Sequence, residues 1–169
     1  MKKLILPAIM AIATVMGMNA QTYKWWAGGR STFWAGDSGI TFLVAPEVGY
    51  LLTPKWTIAS SLGVQAVNNK NGKDMYGLIV NPYMRYVAFK QGILLGFLDG
   101  GVDFGLGDIK GFQLGFKPGV ALLLTERFTV ATQFGFIGYN DGKDIGARRQ
   151  GFGFDLSGYC STIAFFYSF

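Results

Sequence analysis

The stretch from Phe112 to Thr125 reads FQLGFKPGVALLLT, and most of its large apolar side chains stand at every second position. Alternate side chains of an extended strand point to opposite faces of the sheet. One face of this strand would carry Phe112, Leu114, Phe116, Pro118, Val120, Leu122 and Leu124. The other would carry Gln113, Gly115, Lys117, Gly119, Ala121, Leu123 and Thr125. The pattern predicts a β-strand with one bulky apolar face and one face of mainly small or polar side chains.

The same two faces recur in other alternating runs of the chain. Their bulky faces hold Trp56, Ile58, Leu62 and Val64 in one run, Val80, Pro82, Met84 and Tyr86 in a second, and Phe128, Val130, Phe134 and Phe136 in a third. In a soluble barrel these bulky residues would crowd the interior, while glycine, alanine and serine would coat the surface. A membrane barrel reverses the arrangement, because its outer face meets lipid and its interior is polar. We therefore expect the bulky faces outside and the small faces around the lumen.

Turns divide the chain at regular intervals. Compact turns near residues 54, 91 and 126 alternate with longer polar segments near residues 37, 72, 108 and 144, so the repeat is about 36 residues. Eight strands result, at about 23–34, 40–52, 56–67, 78–89, 93–104, 112–124, 128–137 and 152–169. Each is long enough to cross a bilayer when tilted, and closure leaves no unpaired backbone edge in hydrocarbon. The predicted fold is all-β, an eight-stranded antiparallel up-and-down transmembrane β-barrel.

Three prolines mark the same repeat. Pro46, Pro82 and Pro118 are 36 residues apart, and each lies inside an even-numbered predicted strand. Proline cannot donate a hydrogen bond to a neighbouring strand, so it normally occurs in edge strands or at bulges. We expect each of these prolines at a bulge or at a position that tolerates the missing donor.

Aromatic residues concentrate near both ends of the predicted strands. The compact-turn end would hold Tyr23, Trp25, Tyr50, Trp56, Tyr86, Phe89, Phe128, Tyr167 and Phe169. The long-loop end would hold Phe33, Trp34, Phe42, Tyr76, Phe104, Phe112, Phe136, Tyr139 and Phe152. Two such belts are typical of the two interfaces of a membrane. The alternative, core aromatics of a soluble sandwich, leaves the small-residue faces unexplained.

Residues 1–20 have the layout of a secretory signal peptide. Lys2 and Lys3 precede an apolar run from Leu4 to Met18, and cleavage after Ala20 is expected. The apolar run is shorter than the roughly 20 residues of a spanning helix, which disfavours the alternative of a membrane anchor. The barrel domain would then be residues 21–169. Removing the two lysines lowers the net charge from +5 to +3, which gives little reason to expect a nucleic-acid partner.

Composition limits the chemistry that the chain can perform. It has 25 glycines, one cysteine and no histidine, and only 15% of its residues are charged. Without histidine there is no Ser-His or Cys-His nucleophile pair and no histidine-held metal site. Asp99 and Asp103 could in principle form an acid–base pair, but we expect them to form salt bridges with Arg85 and Lys117. The sequence therefore predicts no enzyme activity, no cofactor and no metal.

Several stretches resemble the family of small, porin-like, eight-stranded outer-membrane β-barrel domains. They are Ala45–Tyr50, Asn81–Tyr86, Lys117–Val120 and the terminal run Ile163–Phe169. The resemblance implies export through the periplasm to the cell outer membrane of a Gram-negative envelope, with short periplasmic turns and longer external loops. It also implies that Phe165, Tyr167 and Phe169 form a signal for the outer-membrane assembly machinery. The final strand departs from this pattern, because its two halves are out of phase, and we expect a bulge near Gly158–Cys160.

A lumenal polar network follows from the small faces. Glu47, Arg85, Asp99, Asp103 and Lys117 would all point inward, together with Asp155. Charges in so narrow a space should pair with one another. An eight-stranded barrel is just wide enough for side chains to fill its interior. We therefore expect a structural plug of salt bridges, with an ion-selective constriction as the alternative.

Three functions remain open at this point. The first is a non-enzymatic, monomeric envelope protein that stabilises the membrane or displays loops. The second is a narrow porin-like channel for ions or very small solutes, and the third is a secreted lipocalin-like carrier. Outer-membrane lipid would be the partner of the wall. Arg148 and Arg149 could contact lipopolysaccharide phosphates, since guanidinium groups suit bidentate phosphate contacts, or could belong to a solvated loop.

Overall fold

Ten β-strand segments form the described part of the protein. The structure is a computed structural model, and it describes residues 23–36, 39–69, 74–141, 150–156 and 162–169. The segments are β1 (Trp25–Gly36), β2 (Gly39–Leu51), β3 (Trp56–Asn69), β4 (Met75–Gln91), β5 (Leu94–Gly107), β6 (Gly111–Leu123), β7 (Phe128–Gln133), β8 (Phe136–Asn140), β9 (Gly151–Asp155) and β10 (Thr162–Ser168). Across these ranges no helix is long and apolar enough to cross a membrane. The predicted signal peptide, residues 1–20, lies outside them.

The ten segments make eight antiparallel wall strands. Segments β7 and β8 are two parts of one wall strand, since both pair with β6, and β9 and β10 continue the next one by pairing with β8 and β7. The first and last segments close the wall, with Trp26 opposite Ser168 and Arg30 opposite Ala164. The predicted all-β, eight-stranded, up-and-down barrel is confirmed at this level.

Some predicted loops are shorter in the structure than in the sequence-based assignment. The segment 105–111, expected to be a long loop, is a tight turn between β5 and β6. Gly107 has a φ of 88° and Gly111 a φ of 136°, values that L side chains rarely adopt, so glycine permits the sharp reversal. Ile109 lies buried between them and packs over Gly77. The next loop also starts later than expected, because β8 extends to Asn140.

The two faces of the strands differ as expected. Leu114 and Phe116 of β6 point outward and are 51% and 53% exposed. Gln113, which directly precedes Leu114, is only 2% exposed. The other outward side chains include Trp56, Ile58, Leu62, Val64 and Met84, while Thr57, Ser61 and Asn81 are buried. The outer wall is therefore apolar and much of the interior is polar.

Phe136 is a correction to this pattern. It was expected on the outer face and in the long-loop aromatic belt, but its side chain is 3% exposed and points inward. The reason is a bulge between β7 and β8, where Gly135 adopts a φ of 85°. After the bulge the outward position falls on Ile137 instead. Gly115 and Gly138 leave space for the Phe136 ring.

The final wall strand also changes phase. Phe152 and Phe154 point outward from β9 at even-numbered positions, whereas Ile163 and Phe165 point outward from β10 at odd-numbered positions. The phase change must therefore occur between the two segments. The expected bulge at Gly158–Cys160 lies outside the described residues.

The three prolines interrupt the wall in the same way. Each is in register with the preceding strand, with Gly29 opposite Pro46, Ser60 opposite Pro82 and Leu98 opposite Pro118. Toward the following strand the register is interrupted at all three prolines. Proline has no N–H to donate, and the missing hydrogen bond affects only the neighbour on that side, which here is the following strand. The bulge at Gly135 lies opposite Pro118, whereas Pro46 and Pro82 face gaps that contain no extra residue.

Candidate functional site in the barrel lumen

The five residues of the expected lumenal network all point into the barrel. Glu47 comes from β2, Arg85 from β4, Asp99 and Asp103 from β5, and Lys117 from β6. Glu47, Asp99 and Asp103 are buried, and the side chains of Arg85 and Lys117 are 12% and 19% exposed. Period-two alternation places them there, since each stands between outward-facing neighbours. The structure thus brings them into one lumen, as the sequence pattern indicated.

Arg85 and Asp99 form the central ion pair. Arg85 Nε donates to Asp99 Oδ1 at 2.7 Å, and Arg85 Nη2 donates to Asp99 Oδ2 at 2.8 Å. The two residues are direct cross-strand neighbours, and the two bonds make the contact bidentate. Gln133 Nε2 donates a further hydrogen bond of 2.6 Å to Asp99 Oδ2. Both oxygens of Asp99 therefore have partners.

Lys117 and Asp103 form a second ion pair toward the long-loop end. Lys117 is in register with Asp99, but the carboxylate of Asp99 is already held by Arg85 and Gln133. Lys117 Nζ instead donates to Asp103 Oδ2. Asp103 Oδ1 and Gln113 Nε2, which belong to a cross-strand pair of residues, are buried and have no hydrogen-bond partner in the described structure. The polar groups around this second ion pair therefore have fewer hydrogen-bond partners than those around the Arg85–Asp99 pair.

Glu47 has a different partner from the one expected of a charge network. The Tyr83 hydroxyl donates a short hydrogen bond to Glu47 Oε1 across the lumen. Tyr83 comes from β4, two residues before Arg85 and on the same inward face. The phenol therefore links the carboxylate on β2 to the strand that carries the central arginine.

Four aromatic rings surround the Arg85 guanidinium. Its carbon lies 4.0 Å from the centroid of Phe97, 5.5 Å from those of Tyr83 and Phe166, and 5.9 Å from that of Trp26. Contacts of this kind attract a cation to the faces of aromatic rings. Tyr83 shares the inward face of β4 with Arg85, since the two are two residues apart. The alternation of the strands also predicts an inward position for Trp26, Phe97 and Phe166, because each of them adjoins an outward-facing residue.

Glycines opposite these rings provide the space that they occupy. A Cβ at Gly49 would overlap the indole of Trp26, and a Cβ at Gly119 would overlap the ring of Phe97. Gly28 lies in the same way against Phe166. The abundance of glycine in the chain thus serves an interior that is filled by large rings, as well as by the polar side chains expected from sequence.

Arg30 is a lumenal residue that the sequence-based analysis did not identify. It points inward from β1 and donates to Ser61 Oγ at 3.4 Å. Arg30, Glu47, Arg85, Gln133 and Thr162 line a cavity of about 10 Å³. A cavity of this size is near the lower limit for holding one water molecule. At this level the interior is filled by side chains, with a small polar gap beside Arg85.

The other predicted sites have mixed outcomes. Phe165, Tyr167 and Phe169 point outward from the end of the final strand, and Phe165 stacks on Phe128 with ring centroids 6.2 Å apart. Their role in assembly stays a prediction. Arg148 and Arg149 lie outside the described residues. In the described ranges there is no group of three or more histidine, cysteine, aspartate or glutamate residues that could hold a metal ion.

Comparison with known proteins adds no assignment to this geometry. No model of a known protein family matches the chain, and no curated protein is significantly similar to it in sequence.

Proposed function

We propose that this protein is an integral outer-membrane β-barrel with no enzymatic activity, which stabilises the envelope or displays loops. One observation carries the proposal. The outward side chains are large and apolar around the wall, whereas the interior holds paired charges and amides. A barrel in water would be favoured by the opposite arrangement, because exposed apolar area is costly and buried charge must be compensated. In a bilayer the observed arrangement is the favourable one.

A secreted carrier of the lipocalin type is less compatible with the interior. Such a carrier needs a cavity that can enclose a small apolar ligand. Here the middle of the barrel is occupied by the Arg85–Asp99 pair and the rings of Trp26, Phe97 and Phe166. The gap beside Arg85 has a volume of about 10 Å³, which is far too small for a ligand of that kind.

A narrow channel is the second candidate function. The observation that favours it is the polar gap between Arg30, Glu47 and Arg85, which lies in the lumen and is lined by both signs of charge. The rings that cover Arg85 and its bidentate bond to Asp99 favour a permanent plug instead. We therefore propose the plugged barrel as the resting form of the protein.

The proposal includes the route and the lipid partners. We propose that the signal peptide at residues 1–20 directs export and that the terminal residues Phe165, Tyr167 and Phe169 direct assembly. We also propose that the protein is a monomer in the outer membrane. Contact of Arg148 and Arg149 with lipopolysaccharide phosphates is a further part of the proposal.

Two measurements on residues 21–169 test the function. The chain should stay insoluble without detergent, and after refolding into detergent it should migrate faster on a gel before boiling than after. Folding in plain buffer with binding of an apolar ligand would overturn the proposal and favour the carrier. In planar bilayers the protein should not conduct. Steady openings whose size changes in the Arg85→Ala variant would favour the channel over the plug.

A further inference from the structure

The turn end of the barrel carries a set of four cations. Lys24 immediately precedes β1, Lys55 immediately precedes β3, Lys90 is the penultimate residue of β4, and Arg127 immediately precedes β7. All four side chains are exposed. Each of the three compact turns thus carries one cation, and a fourth stands just before the first wall strand. We call these four residues the basic rim. Among the described residues near these turns, Glu126 is the single acid.

The opposite end of the barrel has a different charge balance. By sequence, the long-loop segments carry six cations and five acids: Lys70, Lys73, Lys110, Lys143, Arg148 and Arg149 against Asp37, Asp74, Asp108, Asp141 and Asp144. Charges of the two signs nearly balance there, whereas the turn end has four cations and one acidic side chain. These four cations give one end of the barrel a local positive charge, and such a charge attracts anions within about 10 Å at moderate salt.

Each cation of the basic rim adjoins an aromatic residue of the wall. The neighbours in sequence are Trp25, Trp56, Phe89 and Phe128 in the order of the rim. Trp25 packs on Tyr50 and Trp56 packs on Tyr86, both with ring centroids 4.8 Å apart. Aromatic side chains of a membrane barrel lie at the level of the lipid headgroups. Cations one residue beyond them lie at the level of the headgroup phosphates.

Arg127 is the most ordered member of the basic rim. It donates from Nε to the Tyr23 hydroxyl at 2.9 Å and from Nη1 to the Tyr167 hydroxyl at 3.1 Å. Its guanidinium carbon lies 4.8 Å from the centroid of the Tyr23 ring. The hydrogen bonds to Tyr167 and Tyr23 raise the pKa of Arg127, so the charge persists at every relevant pH. These contacts fix the guanidinium at the rim where β7 meets β10.

We propose that the basic rim binds the phosphates of anionic phospholipids in the leaflet at the turn end of the barrel. This inference rests on the proposed membrane function. The rim has a cation at every compact turn, and each cation lies beside an aromatic residue of the wall, at the depth where such headgroups lie. A basic residue near an anionic bilayer surface strengthens binding by about fivefold, so three of them together supply an effect that can be measured.

The test compares vesicles of two compositions. The folded fraction is measured by urea titration in dilauroylphosphatidylcholine vesicles and in the same vesicles with 30% dilauroylphosphatidylglycerol. The wild-type protein should have a folding equilibrium constant about 10- to 100-fold larger in the anionic vesicles. The variant Lys24→Gln/Lys55→Gln/Lys90→Gln should lose most of this gain. It keeps Arg127, whose bonds to the two tyrosines help to close the wall.

Two controls separate the rim from net charge. The variant Lys70→Gln/Lys73→Gln/Lys110→Gln removes the same charge from the opposite half of the sequence repeat and should keep the gain. The variant Lys24→Arg/Lys55→Arg/Lys90→Arg should keep it as well. In 0.5 M NaCl the gain should fall for the wild-type protein, because screening shortens the reach of the charges.

The possible failures are distinguishable. A protein that inserts into neither kind of vesicle would overturn the proposed membrane function. A protein that inserts into both, with no gain in anionic vesicles or with an equal loss of gain in the two glutamine variants, would overturn the basic rim alone.

Discussion

The two levels of the lumen are built from the same residue types but are satisfied to different degrees. At the middle level Arg85 has two bonds to Asp99, Asp99 has a third bond from Gln133, and four rings cover the guanidinium. At the level nearer the long loops, the outer level, Lys117 has one bond to Asp103, and Asp103 Oδ1 and Gln113 Nε2 are buried without a hydrogen-bond partner among the described residues. The middle level should therefore contribute more to the stability of the interior, and substitutions at the outer level should cost less stability.

The largest effect should come from removing the central cation. Arg85→Met leaves Asp99 buried without its counter-ion, so the free energy of unfolding should fall by about 3–5 kcal/mol. Urea titration in phosphatidylcholine vesicles measures this change. The double variant Arg85→Met/Asp99→Leu should recover most of the loss, because no unpaired charge remains. A loss below about 1 kcal/mol in the single variant would show that the two levels are equivalent.

An intermediate effect should come from the space around the central pair. In Gly119→Ala the new Cβ overlaps the ring of Phe97, which packs on the Arg85 guanidinium. Overpacking of this kind should lower the free energy of unfolding by about 1–3 kcal/mol. The matched control is Gly153→Ala, where nothing lies within 4 Å of the added Cβ. If both variants lose the same stability, steric overlap at Phe97 is not the cause.

The smallest effect should come from the outer level. Gln113→Met keeps the approximate volume of the side chain and removes a buried donor, Nε2, that has no partner in the described part of the chain. The free energy of unfolding should stay within about 1 kcal/mol of the wild-type value or rise, because the desolvation penalty of the amide is lost. Lowered stability comparable with that of Arg85→Met would contradict the difference between the levels.

Much of the wall could be predicted from the sequence because a strand face has a period of two. Leu114, Met84 and Trp56 point outward as the alternation indicated, and Glu47, Asp99 and Lys117 point inward. The exceptions have a local cause. The positive φ of Gly135 shifts the phase of one strand, and Phe136 turns inward as a result. A glycine in the sequence does not itself say whether it makes such a bulge.

The lumenal contacts could be predicted only in part. Alternation placed Arg85 and Lys117 inside, and the expected partners Asp99 and Asp103 are the ones observed. It could not show that Trp26 and Phe166 would also enclose the guanidinium, because these rings come from strands far from β4 in the chain. Pairing of β1 with β2 places Arg30 near Glu47, but Arg30 meets Gln133 and Thr162 only after β1 closes on β10.

The strands, their alternation and the 36-residue repeat follow from side-chain period and local turn residues, so the amino-acid order is enough to establish them. The lack of a histidine to support catalysis or to hold a metal is likewise a property of the sequence. The closed fold is needed to establish which charges pair, which rings share the lumen with them and how the prolines fit. Each of those depends on the register and curvature of a closed wall, in which residues far apart in sequence meet across a narrow interior.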